Sequence, residues 1–144
     1  MSRKLKKVVS IIVLVLILAV IWIIKLDFAV SKEQAQATAE EFFTAINYGD
    51  TAKAESLFHP WYSLSNSKTE PQKSDSFVFT QYIQGPYATF FPNVNRSFSN
   101  CLLARVQSGQ HTYLVCFTFK KNIMGYGISY YSCTQMDSDD TIIP

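Results

Sequence analysis

The residues of this chain best suited to chemistry are two histidines and three cysteines. His59 sits in the run Phe-His-Pro-Trp-Tyr, and His111 follows a Ser-Gly turn, where exposure is expected. Acid–base catalysis needs a histidine or carboxylate that projects into a pocket, with a partner in hydrogen-bond reach. Such a partner is scarce here. The stretch 97–136 contains no Asp or Glu, and its basic residues are Arg105, Lys120 and Lys121. The two lysines fall at a strand end and should be solvated. Arg105 alternates with Cys101 and Leu103, so it faces outward or lines a groove. Nucleophile-elbow, Ser-x-x-Lys, P-loop and dinucleotide patterns are missing from the sequence. Catalysis is therefore not expected. If any occurs, His59 is the residue to carry it, although a structural role beside Trp61 fits it better. Cys-x-x-Cys spacing is also missing, and neither histidine has ligand-like neighbours, so no metal site and no cofactor are expected.

The cysteines, Cys101, Cys116 and Cys133, all fall in the last third of the chain. A two-residue turn at Ser108–Gly109 would set Cys101 directly opposite Cys116 on paired strands. A turn at Met124–Gly125 would set Cys133 opposite Cys116 from the other side, bringing all three sulfurs near one row. In an oxidising compartment one pair would bridge, and Cys101–Cys116 is the expected disulfide. Cys133 in place of Cys101 is the competing partner, and three buried thiols are the plain alternative.

The element that must place these residues is the apolar run 8–24, VVSIIVLVLILAVIWII, broken only by Ser10. As a helix it spans roughly 25 Å, and with Leu26 and Phe28 it approaches the ~30 Å core of a bilayer. Arg3, Lys4, Lys6 and Lys7 precede it, which predicts a cytoplasmic N-terminus and an outer C-terminal domain. Trp22 near the far end suits the interface. A cleaved signal peptide has the same charge pattern, but its apolar core is shorter, about 7–15 residues, and small residues mark its cleavage site. The residues that follow here, Lys-Leu-Asp-Phe-Ala-Val, offer no such site, and no cysteine follows to receive a lipid. The expectation is an uncleaved anchor over 8–26 behind a cytoplasmic stub, 1–7.

The formal charge of +2 comes from that stub. From Leu26 onward, 8 Lys and Arg face 11 Asp and Glu, a net of −3. An acidic outer domain without a basic stripe argues against nucleic-acid binding. Aromatics at 15% are enough for a real core.

Within the outer domain, 31–136, Ser31 to Tyr48 reads as a helix with an apolar face of Ala35, Ala39, Phe42, Phe43 and Ile46. Ser31 is the N-cap, Gln34 stands at the capping-box position and Gly49 stops the helix. Asp50 caps a second helix, Thr51 to Phe58, which Pro60 ends. The polar stretch 63–76 reads as a mobile loop, a lid or part of a binding surface. FVFTQYI alternates as a strand would, yet the position before Gly85–Pro86 also fits a short helix. The reading favours a helix or irregular segment over 76–83. From about Arg96 onward three strands form an antiparallel meander. In the middle one Tyr113, Val115, Phe117 and Phe119 share a face. Asn95-Arg96-Ser97 spells a glycosylation sequon, usable only in a eukaryotic secretory pathway. The tail 137–144 is acidic and should fray.

The run AEEFFTAINYGDTAKAESLFHPWY resembles the opening of the NTF2-like (SnoaL-like) superfamily. There a long helix ends in Gly-Asp, a short helix carries Ala and Leu at this spacing, and a His-Pro pair often follows. Gly49, Asp50, Ala54, Leu57, His59 and Pro60 carry the match. The resemblance implies an α+β cone in which a curved antiparallel sheet wraps the long helix. Some members are isomerases, dehydratases or epoxide hydrolases that use Asp or His around the cone, and many have no activity. An anchored domain of this type is also similar to the VirB8-type component of bacterial type IV secretion. The expected protein is a single-pass domain on the outer side of a bacterial inner membrane. It would bind a protein partner or small ligand through Phe43, Trp61, Tyr62, Arg105 and Tyr113, and could pair as a homodimer. The alternatives are a VirB8-like scaffold and a small-molecule enzyme built on His59.

Overall fold

The long helix of the outer domain forms because both its ends are satisfied by local chemistry. The Ser31 hydroxyl accepts the Gln34 N–H at 3.1 Å. At the other end Gly49 adopts φ 73°, which returns its N–H and that of Asp50 to the Ala45 and Ile46 carbonyls. The Gln34 side chain does not close the capping box. It reaches Lys121 Nζ at 3.5 Å instead. In the computed structural model, which describes residues 3–67, 69–83 and 100–136, this helix is α2, Lys32–Tyr48. It follows α1, Arg3–Lys25, and precedes α3, Thr51–Ser56, capped by Asp50 as expected. A short 3-10 turn, Leu64–Asn66, comes next. The strands are β1 (Ser76–Ile83), β2 (Asn100–Ser108), β3 (His111–Asn122) and β4 (Gly125–Met136). They form one curved, open antiparallel sheet in the order β1-β2-β3-β4, so the fold class is α+β.

α1 stands apart from the packed domain. Its 21-residue span Lys4–Ile24 is long and apolar enough to cross a membrane, and none of it is buried against protein. An apolar surface on every side of a helix finds no favourable place in water.

The core lies between α2 and the inner face of the sheet. Ala35, Ala39, Phe42, Phe43 and Ile46 of α2 meet Leu102, Ala104 and Val106 of β2. They also meet Val115, Phe117 and Phe119 of β3, and Ile128, Tyr131 and Cys133 of β4. Rings fill the centre: Phe42 lies 5.4 Å from Phe117 and 5.2 Å from Tyr131, and Phe43 stacks on Phe77 at 4.6 Å. Such pairs contribute about 0.5–1.5 kcal/mol each beyond their buried area.

Three expectations are corrected. Residues 76–83 form strand β1, not a helix. A bulge between Phe79 and Gln81 interrupts their alternation, so that Phe77, Phe79 and Tyr82 share the inner face. In the stretch 63–76, expected as a mobile loop, the described residues Leu64, Ser74 and Asp75 are tied to the domain. Leu64 N–H donates to Glu55, Ser74 and Asn47 exchange hydrogen bonds at 2.8 and 2.9 Å, and Asp75 joins Gln107 and Gly109 of the β2–β3 hairpin. The third correction concerns the hairpin registers. Ser108 pairs with His111, so the first turn is Gly109–Gln110. Cys101 then faces Thr118, and Cys116 faces Leu103. Near the second turn Asn122 pairs with Gly125, and a bulge between Thr118 and Phe119 shifts the rest. Cys133 therefore pairs with Val115 on the inner face, away from the other two sulfurs. The sequon and the acidic tail lie outside the described residues.

Candidate functional site

The outer face of the sheet can be reconstructed row by row from the register. Ser76, Gln107, Thr112 and Met136 form the first row, and Val78, Arg105, Leu114 and Thr134 the second. Gln81, Leu103, Cys116 and Ser132 follow, then Ile83, Cys101, Thr118 and Tyr130. These sixteen positions contain one formal charge, Arg105, and no carboxylate. Val78 is 66% exposed, and Ile83 and Tyr130 are exposed as well. No described helix covers this face, because α2 and α3 pack on the other side. Its chemistry is apolar centres among hydroxyls and amides, which desolvate at less cost than charges when another surface arrives and supplies hydrogen-bond partners.

Cys101 and Cys116 sit diagonally on this face with sulfurs 3.3 Å apart and no bond between them. The remaining S–H donates to the thiolate once the first proton leaves. This lowers the Cys101 thiol to about 7 against the opposing pull of burial. Cys116, left as the donor, is pushed up. Burial raises Cys133 on the other face.

A second cluster lies at the end of the sheet nearest α1. His59 is fully buried. Its Nδ1 accepts the Trp61 N–H at 3.2 Å, so Nε2 carries the proton and donates to Asn122 Oδ1 at 3.0 Å. The same oxygen accepts the Met124 N–H at 2.9 Å, fixing the β3–β4 turn. Trp61 and Tyr62 pack edge-on to the imidazole, with centroids at 5.2 and 5.9 Å. Beside them Lys120 pairs with Asp27 at 2.7 Å and lies 5.5 Å from the Trp61 ring centre. Leu57–His59 reaches this place by hydrogen-bonding alongside β4: Ile128 N–H donates to Leu57 and His59 N–H donates to Ile128. Glycine at 127 allows that approach. A Cβ there would come within 2.3 Å of the His59 nitrogen.

The residues singled out from sequence do not converge. Phe43 is in the core, Trp61 and Tyr62 flank His59, and Arg105 is exposed on the outer face. Tyr113 is half-buried on the inner side at the opposite end of β3, beside His111. Both ring nitrogens of His59 are engaged in hydrogen bonds to the fold, and no carboxylate is among its hydrogen-bond partners. Among the described residues no group of three metal-ligating side chains gathers. Sequence reasoning missed Asn122, Gly127 and Asp27. Asn122 acts through a side-chain oxygen that meets a residue far away in sequence, and Gly127 through close backbone approach, and neither leaves a spacing signal. Asp27 was legible only as a charge after the apolar run.

The geometry defines an α+β module with a filled core, a nearly uncharged sheet face and a long apolar helix. No protein-family model, curated protein or solved structure matches this chain.

Proposed function

We propose that this chain is a single-pass anchored domain of NTF2-like build, placed outside the cytoplasm of a bacterial cell, that binds a protein partner through the outer face of its sheet. The observation that carries the reading is the composition of that face, four paired rows with one charge and exposed Val78, Ile83 and Tyr130. A second copy of the chain is the simplest occupant, since a twofold would set the same uncharged rows against each other. The aromatic filling between α2 and the sheet supports a macromolecular partner over a small ligand inside the cone. The hydrogen-bonded state of His59 supports a binding role over a catalytic one.

Photo-crosslinking in native membranes tests this. A crosslinking residue at Val78 or Leu103 is expected to give discrete adducts with a second copy or another envelope protein. The same probe at Glu40, on the solvent side of α2, should give none. Equal yields from both faces, or no adduct from the sheet, would overturn the proposal.

A further inference from the structure

The two ends of the sheet differ in kind. The end away from α1 carries the turn Gly109–Gln110 with Ser108, His111, Ser74 and Asp75 around it, all polar or glycine. The end beside α1 carries Ile123 and Met124 in its turn, 54% and 49% exposed. Near them are Trp61 at 44%, Tyr62 at 38% and Phe28 at 37%. Exposed large apolar side chains gathered at one end of a small domain mark a contact surface.

The path of the chain says what lies opposite. α1 ends at Lys25, and three residues later the Phe28 N–H donates to the Lys121 carbonyl at 2.7 Å. Asp27 is tied to Lys120 on the same strand. Three residues reach roughly 10 Å at most. The headgroup layer on each side of a bilayer is about 5–8 Å thick. If α1 spans the hydrocarbon, the β3–β4 turn is held at the level of the headgroups, without a linker long enough to lift it clear. Trp and Tyr, with an apolar body and a polar edge, are the side chains that favour this depth.

We infer that the α1-proximal end of the domain, Phe28, Trp61, Tyr62, Ile123 and Met124, lies in the lipid interface of the outer leaflet and fixes the domain's orientation on the membrane. The inference rests on the anchor reading. The bilayer is thus a second contact, distinct from the protein contact on the sheet face. His59 acts as the positioning residue: it accepts the Trp61 N–H, and through Asn122 it shares the oxygen that fixes the turn. With the strands docked by that end, the outer face stands away from the lipid and stays open to a partner.

The full chain reconstituted in vesicles, as two single-tryptophan variants, separates the two claims. With Trp61→Phe, Trp22 reports the anchor, and lipids brominated on the acyl chain should quench it. With Trp22→Phe, Trp61 reports the inference. Its emission should be blue-shifted and lose most of its intensity to lipids brominated on the upper acyl carbons, while aqueous iodide quenches it weakly. The added pair Ile123→Asp and Met124→Asp should restore much of that intensity. Quenching of Trp22 with Trp61 open to iodide and untouched by bromolipid would overturn the inference and leave the anchor standing. Trp61 shielded from both quenchers would also overturn it, because protein would then cover this end. An unquenched Trp22 would remove the anchor reading itself.

Discussion

One sheet presents two faces built from the same residue positions in alternation, and they serve different ends. The inner face carries Leu102, Val106, Val115, Phe117, Ile128 and Tyr131, all closed against α2. The outer face carries Leu103, Arg105, Leu114, Cys116 and Thr118, none of them fully buried. Burial at about 25 cal/mol per Å² makes the inner set the source of stability. The outer set contributes little to the fold, yet it is not the charged surface that a solvent-facing sheet prefers. A face that neither packs nor solvates fully is suited to transient or permanent cover by another molecule. Equal stability costs for substitutions on the two faces would show that both belong to the core.

The largest effect should come from Phe42→Ala. Its ring touches Phe43, Phe58, Phe117 and Tyr131, with centroids between 5.2 and 6.2 Å. Removing it should cost about 3–5 kcal/mol, enough to unfold a small domain at ordinary temperature. Leu114→Ser on the outer face should cost less than about 1 kcal/mol in the same denaturation experiment on the detergent-solubilised chain. It should still weaken any crosslinked complex. A Leu114→Ser loss as large as that of Phe42→Ala would mean that the outer face is part of the core.

His59→Ala comes next. It strands the Trp61 N–H and removes the donor to Asn122, a buried pair whose loss should cost about 1–3 kcal/mol. Asn122→Ala should lose a similar amount by releasing the same turn. The two changes together should cost less than the sum of their separate costs, because both break one network. Full additivity in the double variant would show that the imidazole and the amide act independently.

Tyr126 sharpens the contrast through pH. Its hydroxyl donates to the Gln34 carbonyl at 3.2 Å and meets Thr38 Oγ1 at 2.9 Å, sealing the N-terminal turns of α2 to β4. Burial raises this phenol to about 12, above its ordinary value of 10.0. Folding thus favours the neutral form. The stability it contributes is complete below pH 10.0 and is lost as the pH climbs through about 12. Tyr126→Phe should cost about 1 kcal/mol at neutral pH. It should also make the alkaline fall in stability shallower, though Tyr82 and Tyr131, raised by burial too, keep part of it. An alkaline limb identical in the two proteins would remove Tyr126 from the account.

Much of this was legible in the sequence where chemistry is local. Ser31, Gly49 and Asp50 announce the helix ends because caps act within a turn. The apolar run 8–24 announces α1 because no surface of the domain could bury it. The alternation in β3 is unbroken, so its inner residues were plain. What was hidden depends on single-residue offsets. β1 was missed because the bulge at Thr80 shifts Tyr82 out of phase with Phe77 and Phe79. Each turn lies one residue from its expected place, which shifts the pairing by two and so changes the partners but keeps the faces; Cys101 and Cys116 remain neighbours, now diagonal. The bulge in β4 takes back one of those two residues, and the net offset of one reverses the side chain and puts Cys133 on the inner face. The candidate site was less legible than the fold. Phe43 and Tyr113 stand on the apolar faces that the periodicity already assigns to α2 and β3, and the core takes both faces, which leaves neither ring as a free contact.

The smallest effect on folding and the sharpest difference between the faces belong to the cysteines. Cys116→Ala should leave stability within about 0.5 kcal/mol, as expected for a surface position without a special role in the fold. It removes the S–H that favours the Cys101 thiolate, so the Cys101 value should return from about 7 toward its ordinary 9.0. At pH 7 the thiolate fraction then falls from about half to about one in a hundred. The more basic thiolate is intrinsically several times more nucleophilic, so the net loss in alkylation rate at Cys101 should be about fivefold. Cys133, raised by burial on the inner face, should react last in both proteins. Mass spectrometry of the alkylated chain in detergent reads all three positions at once. An unchanged Cys101 rate would show that the two sulfurs do not share a proton. If Cys133 reacts as fast as Cys101, the register that puts them on opposite faces is wrong, and the distinction between the faces fails with it.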